Sequence, residues 1–563
     1  MDYNIKVGYP FTYFIKFSTH ELKPIFCERC FLKNEQNLRR RIIMKPICKK
    51  EYLELKPPGF GDTVADKDRI LQALKPKYGD VYISMSTLKF YYKLLRNFDW
   101  ELTVTMVHNS YSWEIIIIER GNTTDKNFAY AADLGSTTVI MQLVDLNSGN
   151  ILGEESIVNH QATYGADILS RIFYVKDNDD HLKEIQQCTL SNFIELMDKL
   201  YSLTGISPAE CGALIIGGNT TMIHFLFGID PWFIFSTPYT PSFNRCEFIS
   251  GRDIGLPFNG LVYCFPSVAN YLGGDIISGL LTTDIHKRSE LALYMDIGTN
   301  GEMILGNNEV MIGVAGAAGP ALEGGISKQG MRASAGAVDS VRIVNNEMII
   351  TTIQNEKPIG ICGSGIVDLL AEMLLEGWID YSGRFVPGKS ERIVLREGEY
   401  AVIYAWENES GSNEELLFSQ TDILNFMDTK AAANTMVAFL LDELGIVPQE
   451  VKRIYMAGAF GTYINLESAI TIGLYPDLPR ERFVQIGNGS LKGACMLLKD
   501  EEELLAVESI VKNINYLQLG EAKDFLSKMY AAKFLPHTDF TLYPTVMENI
   551  KHRRCKEDSI SNG

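Results

Sequence analysis

Two short segments far apart in the chain carry the same kinds of residue in the same order: Asp133-Leu134-Gly135-Ser136-Thr137-Thr138 and Asp296-Ile297-Gly298-Thr299-Asn300-Gly301. Each follows an apolar, strand-like run and reads as carboxylate, glycine turn, then hydroxyl or amide residues. That order suits phosphate and magnesium. The glycine lets the backbone approach an anion and turn N–H groups toward it, while the Asp at the strand end holds a divalent cation, directly or through water. Two facing copies would clamp the phosphates of one nucleotide. A third segment, Ala457-Gly458-Ala459-Phe460-Gly461-Thr462, follows the strand-like run 453–456, and its two glycines let the main chain pass beneath an adenosine ring.

The elements that must position these loops are legible as periodicity. Strands are expected at 129–133, 139–145 and 151–159, with Asn147-Ser148-Gly149-Asn150 as a hairpin turn, and again at 291–296, 301–305 and 309–313. Each loop is therefore followed by a further strand and not by a helix. This separates both from a Walker loop, whose Gly-Lys-[Ser/Thr] is absent, and from a Gly-x-Gly-x-x-Gly dinucleotide fingerprint. Helices are expected at 67–74, 166–174 and 181–201, and a buried strand at 213–217 opens onto Gly218-Asn219-Thr220-Thr221. Two weakly similar halves thus lie within 129–545.

Composition bounds the function. The 563 residues are 46% hydrophobic and 22% charged, which is ordinary for a globular protein with several domains. A net charge of −18 argues against general nucleic-acid binding. The first fifty residues run the other way, with Arg39-Arg40-Arg41, Lys45, Lys49 and Lys50, as a solvated face or a surface that steers an acidic partner. Lys6 and Lys16 interrupt any secretory leader, and no run reaches the roughly 18 apolar residues of a membrane span. Ten scattered cysteines fit reduced thiols, so a cytoplasmic protein without membrane or nucleic-acid partners is expected.

The expected domains are a short basic region at 1–50, a linker at 51–62 around Pro57-Pro58-Gly59-Phe60-Gly61-Asp62, and a small α+β module at 63–127. Two lobes at 128–290 and 291–545 follow, and a polar tail at 546–563.

The order of the three loops resembles the actin, sugar-kinase and heat-shock ATPase superfamily. Within it the chain is similar to the corrinoid-activating proteins along nearly all of residues 50–545. The resemblance is carried by Tyr52-Leu53-Glu54-Leu55-Lys56-Pro57-Pro58, Asn159-His160-Gln161 with Tyr164-Gly165-Ala166-Asp167, and Gly218-Asn219-Thr220-Thr221-Met222. Ala318-Gly319-Pro320-Ala321-Leu322-Glu323-Gly324, Gly330-Met331-Arg332-Ala333, Gly360-Ile361-Cys362-Gly363-Ser364-Gly365 and Gly487-Asn488-Gly489 continue it.

The resemblance implies an α/β fold: a two-lobed, actin-like ATPase domain of duplicated ribonuclease-H-like topology, preceded by the small α+β module and the cysteine-bearing N-terminal region. It implies ATP and magnesium between the lobes, with Asp133 and Asp296 positioning the metal. Gly135, Ser136, Thr137 and Thr138 with Gly298, Thr299, Asn300 and Gly301 would hold the phosphates, and Gly458 and Gly461 would line the adenosine side. The implied activity is ATP-driven reductive activation of a corrinoid-binding methyltransferase protein, returning inactive Co(II) to Co(I), with the electron carried by an iron–sulfur cluster or an external donor. Two alternatives stand beside it: a nucleotide-gated protein that remodels a corrinoid partner without a redox centre of its own, and a small-molecule kinase of the same fold.

Family members carry the cluster on an N-terminal [2Fe–2S] ferredoxin-like domain or on C-terminal cysteines. A plant-type cluster needs Cys-x₄-Cys-x₂-Cys and a distant fourth cysteine. Cys27, Cys30 and Cys48 supply three, but Leu22 stands where the first belongs, and Cys555 is alone at the other end. A truncated ferredoxin-like region, an unusual iron–sulfur site, and a zinc site or inert thiols are all compatible with this set. His160 and His224 are read as structural histidines, and Cys362 as a small buried residue at a turn.

Overall fold

The computed structural model describes residues 44–298, 301–316, 325–521 and 524–560. Cys27, Cys30, Arg39–Arg41, Thr299, Asn300 and the segment 317–324 lie outside the described residues. The chain divides into a unit of residues 1–44 and one of 45–563, and it is the second whose architecture follows.

Four strands open it: β1 (Cys48–Glu54), β2 (Val81–Ile83), β3 (Glu101–His108) and β4 (Trp113–Arg120), in the sheet order β1-β3-β4-β2. The boundary expected at 50/51 falls inside β1, because Cys48 to Glu54 pair residue for residue with Val107 to Glu101 of β3. The helices Asp66–Tyr78 and Met85–Leu95 pack on this sheet through Ile70, Leu74, Tyr91 and Leu95.

The first lobe carries β5 (Phe128–Leu134), β6 (Thr138–Asp145), β7 (Ile151–Val158), β8 (Cys211–Gly218), β9 (Ile249–Ser250) and β10 (Leu261–Cys264), in the order β7-β6-β5-β8-β10-β9. In the second lobe β11 (Ala292–Ile297), β12 (Gly301–Gly306) and β13 (Met311–Gly316) precede two small three-stranded sheets. Those are built from β14 (Ala337–Val344), β15 (Glu347–Thr352) and β16 (Gly360–Ile361), then β17 (Ile393–Arg396), β18 (Glu399–Ala405) and β19 (Leu416–Ser419). The main sheet is completed by β20 (Arg453–Ala457), β21 (Phe483–Gly487) and β22 (Ile514–Tyr516), in the order β21-β20-β11-β12-β13-β22.

The duplication is explicit in this layout. In each lobe three successive strands form an antiparallel meander, and a later strand joins its first member in parallel, β8 beside β5 and β20 beside β11. Burial explains the choice of centre: every residue of β8 is buried, as a continuous apolar run packed on both faces demands. At the 145–150 turn Gly149 takes φ +76° and Asp145 accepts from the Asn147 N–H, as the sequence predicts for a hairpin.

Long helices cover the sheets. Asp179–Thr204 is capped by the Asn178 side chain and ends on Gly205, and Gln420–Leu444 is capped by a Ser419/Asp422 box and ends on Gly445, both glycines in the left-handed conformation. The helices Gly274–Leu281 and Gly489–Lys499 lie in close contact, with Ser278 Oγ donating to the Ser490 carbonyl at 2.6 Å. The expected polar tail is instead largely the helix Pro544–Ile560, which buries Val546 and Ile550 against the second lobe. Fully buried Lys430 helps hold the stretch before it, donating to the carbonyls of Ala532 and Phe534 at 2.8 and 2.6 Å and to that of Pro536. Among the described residues no helix is long and apolar enough to cross a membrane.

Candidate functional site

The duplicated meander puts the twin loops at equivalent places, between β5 and β6 and between β11 and β12. Asp133 is the penultimate residue of β5 and Asp296 that of β11. Their parallel neighbours are small, Gly217 beside Asp133 and Ala457 beside Asp296, and at Gly217 the absent Cβ lets Ser490 of the helix Gly489–Lys499 pack directly against the strand. Gly135 is required by close approach: a Cβ there would stand 2.5 Å from the Thr138 carbonyl oxygen.

Around these two aspartates the fold gathers more acid than sequence reading found. Glu302 of β12 pairs directly with Asp296 across the hairpin, an arrangement of like charges that destabilises a sheet unless a cation is shared. Asp275 stands in the first turn of the helix Gly274–Leu281, one of its oxygens accepting from the Ile276 N–H at 2.9 Å. All four carboxylates are half-buried, and among the described residues none is in an ion pair with Lys or Arg.

The electrostatics follow. Burial, then the charges of Asp296 and Asp133, push Asp275 up to about 7. Burial and Asp133 push Asp296 up to about 6, against a hydrogen bond from the Tyr294 hydroxyl at 3.4 Å. Glu302 is driven well above the ordinary carboxylate range by burial and by Asp275 and Asp296. Asp133 is raised by burial, although Asn488 Nδ2 donates to it at 2.8 Å. A cluster of mutually repelling carboxylates recessed from water is suited to a divalent cation, whose charge would relieve all four shifts together. Among the described residues no three such side chains converge as direct ligands, so magnesium here would be held largely through its waters and the phosphates, in keeping with its reluctance to dehydrate.

On the adenosine side, Gly458 does not sit in an open loop but begins the short helix Gly458–Tyr463. It takes φ +80°, and a Cβ there would lie 2.7 Å from Asp296 Oδ1. At Gly461 a Cβ would meet the Met456 carbonyl at 2.6 Å. Both glycines therefore pack the helix onto the end of β20, beside the second loop.

Of the residues singled out from sequence, Asp133, Gly135–Thr138, Asp296, Gly298, Gly301, Gly458 and Gly461 all fall at the ends of β5, β6, β11, β12 and β20. Asp275, Glu302 and Asn488 were missed as site residues. Asn488 stood within a quoted motif and Glu302 directly follows the second loop, while Asp275 follows a Gly-Gly pair whose meaning is only spatial. His160 is paired with Glu195 at 3.2 Å, and His224 is buried and stacked on Phe243, so both are structural. Cys362 is buried with its Sγ 3.3 Å from the Val338 carbonyl. Cys48 is fully buried in β1 with its thiol 3.6 Å from Asn127 Oδ1, and burial pushes that thiol up to about 12. Such a group fits core packing and does not fit a thiolate ligand of a cluster. Two surface cavities of about 520 and 550 Å³, lined by Lys49 and Trp113 and by Phe227 and Phe243, do not include the carboxylates.

A duplicated sheet with a carboxylate-and-glycine loop at each strand end, and two contacting helices between, defines an actin-like nucleotide-binding ATPase. Residues 290–547 match the family model described as the C-terminal domain of RACo, the ASKHA domain; 128–288 match the RACo middle region and 37–125 the RACo linker region. The chain belongs to this family of corrinoid activators. It is 30% identical to a corrinoid activation enzyme, RamQ, of Eubacterium limosum over 71% of this chain and 69% of the relative. It is 27% identical to a [Co(II) methylated amine-specific corrinoid protein] reductase of Methanosarcina barkeri, over 71% of this chain and 75% of the relative. A solved structure of a reductive activator for corrinoid, iron–sulfur protein superposes with a TM-score of 0.81 at 37% identity, covering 89% of this chain and 81% of that one.

Proposed function

We propose that this protein is a cytoplasmic enzyme that uses ATP to drive the reductive activation of a corrinoid protein, returning Co(II) to Co(I) in a methyltransferase system. The observation that carries the nucleotide half is the meeting of Asp133, Asp296 and Glu302 at the ends of duplicated strands with Asp275 at the start of a helix, each with its proton affinity raised by burial and, in all but Asp133, by its acidic neighbours. The corrinoid half rests on relatives named for that activity. The chain divides, on this reading, into the small module up to residue 127 and lobes at 128–290 and 291–545.

Magnesium–ATP, when bound, supplies the phosphoanhydride bond whose cleavage drives the cycle. Asp133 and Asp296 would hold the hydrated cation, while the hydroxyls and N–H groups of Ser136, Thr137 and Thr138 would orient the phosphates, with Gly298 and Gly301 of the second loop as their counterparts. Asp275, in the first turn of its helix and close to Asp296 and Asp133, would accept the proton of the attacking water on its carboxylate. Gly458 and Gly461, by letting their helix close onto the end of β20, would set the main chain beside the second loop on the adenosine side. Because nucleotide binds groups from both lobes, its turnover alters their separation, the two-state element through which a partner is gripped and released.

Reduction of cobalt takes one electron from a low-potential donor. Cys27 and Cys30 are the remaining N-terminal thiols for a cluster. The burial of Cys48 favours a second reading, in which an external one-electron donor serves the corrinoid protein and this chain remodels it. Incubating a Co(II) corrinoid protein with this protein, a strong reductant and magnesium–ATP should produce the Co(I) visible spectrum. Equal conversion without ATP would overturn the proposal. Iron content and visible absorption of anaerobically purified protein separate the two sources of the electron.

A further inference from the structure

Behind the first phosphate loop lies a buried polar chain to which the proposed reaction gives no role. Asn159, just after β7, is completely buried. Its Nδ2 donates to the Gly135 carbonyl at 2.8 Å, and its own backbone N–H donates to the Thr137 carbonyl at 2.9 Å. One residue therefore grips two peptide planes of the loop. In a trans peptide the C=O and the following N–H point in opposite directions. With the Gly135 and Thr137 carbonyls turned toward Asn159, the N–H groups of Ser136 and Thr138 are turned away from it, in one common direction.

Asn159 is itself fixed. Its Oδ1 accepts from Asn192 Nδ2 and from the Gln161 N–H, each at 3.0 Å. Both neighbours are completely buried. Gln161 Oε1 in turn accepts from Arg171 Nη1 at 3.0 Å, and Arg171 Nε donates to the Gly165 carbonyl at 2.9 Å. Arg171 is 1% exposed, and the charge of Asp167 acts on it without a direct ion pair among the described residues, so a buried positive charge stands at the far end of the chain. Arg171 fixes the Gln161 side chain, and from the Gln161 backbone N–H through the Asn159 amide to the Gly135 carbonyl each donor faces the loop, an alignment in which successive hydrogen bonds polarise one another.

We propose that Asn159 is the positioning residue of the first phosphate loop: held by Asn192, Gln161 and Arg171, it aims the N–H groups of Ser136 and Thr138 at the nucleotide's phosphates. This rests on the nucleotide half of the proposed function and not on cobalt chemistry. Its substitution weakens ligands that carry phosphates and spares those that do not. A merely structural role would weaken both alike.

The test is binding of magnesium–ATP and of adenosine to the full chain. In Asn159→Ala, which frees the Gly135 carbonyl and keeps the backbone bond to Thr137, ATP affinity should fall about tenfold or more while adenosine affinity stays within about twofold, because only the phosphates meet the re-aimed Ser136 amide. Asn159→Asp, which keeps an acceptor for Asn192 but donates nothing to Gly135, should show the same selective loss. Hydrogen exchange on the unsubstituted protein needs no variant to fold: the Ser136 and Thr138 amides should become protected on adding magnesium–ATP and remain unprotected with adenosine. Parallel losses for both ligands, or absent protection at these two amides when ATP is bound, would overturn the assignment while leaving the ATPase reading intact. Failure of the unsubstituted protein to bind ATP would overturn both.

Discussion

Removing one carboxylate from the cluster should stabilise the protein and abolish its response to nucleotide. Asp296→Asn keeps the shape of the side chain and deletes its charge. Burial, with Asp133 adding to it, raises Asp296 from 3.8 to about 6. The unfolded chain therefore ionises this group first, and the folded state loses stability as the pH rises from about 4 to about 6, then by a constant amount above. At about 1.4 kcal/mol per tenfold change the full penalty is about 3 kcal/mol. The carboxylate is only half-buried, and solvent screening reduces this to about 1–2 kcal/mol. Denaturant unfolding without nucleotide near neutral pH should find Asp296→Asn more stable by that amount, the difference shrinking to nothing toward about pH 4. With magnesium–ATP at a hundredfold excess over Kd the unsubstituted protein should gain about 2.7 kcal/mol, and the variant little of it. A variant less stable than the parent at neutral pH, or one that keeps the full nucleotide shift, would refute the reasoning.

Asp275→Asn should lower ATPase kcat by about 10²-fold or more with little change in KM, since it removes a proton acceptor and leaves the phosphate loops untouched; steady-state ATPase assays decide, and a change confined to KM would count against it. Lys430 is lowered to about 7 by burial, so the unfolded chain binds the extra proton between about pH 7 and 10 and stability should rise across that window. Lys430→Met should flatten that slope in unfolding measured at several pH values. Cys48→Ala should cost about 1–2 kcal/mol of stability for the lost core packing and leave any iron content unchanged; a fall in iron per chain would place the thiol back among cluster ligands.

What could be read without coordinates was whatever is local in the chain. The two Asp-x-Gly loops were legible because a strand end, a turn and the next strand occupy fewer than twenty residues each, and alternation together with glycine marks all three. The meanders β5–β7 and β11–β13 were legible for the same reason. The small sheets between 337 and 419 were not, since their strands are short and their partners are chosen by packing against the second lobe's core. The N-terminal boundary was misplaced because Pro57-Pro58 is a strong local break, while the pairing of β1 with β3 is a contact between residues about fifty positions apart.

The chemistry divides along the same line. Sequence alone marked Asp133, Asp296 and the glycines that turn the chain beside them as candidates, because residue type and spacing within one turn suggest an anion-binding loop, while the ATPase class came from the resemblance that the order of the loops carries. Only the tertiary structure brought Asn488 to Asp133 across 355 positions, set Asp275 within reach of Asp296, and put Asn159 behind Gly135. It also withdrew Cys48 into the core. Charge repulsion and desolvation depend on distance and burial, and neither exists until the two halves of the chain have closed on each other.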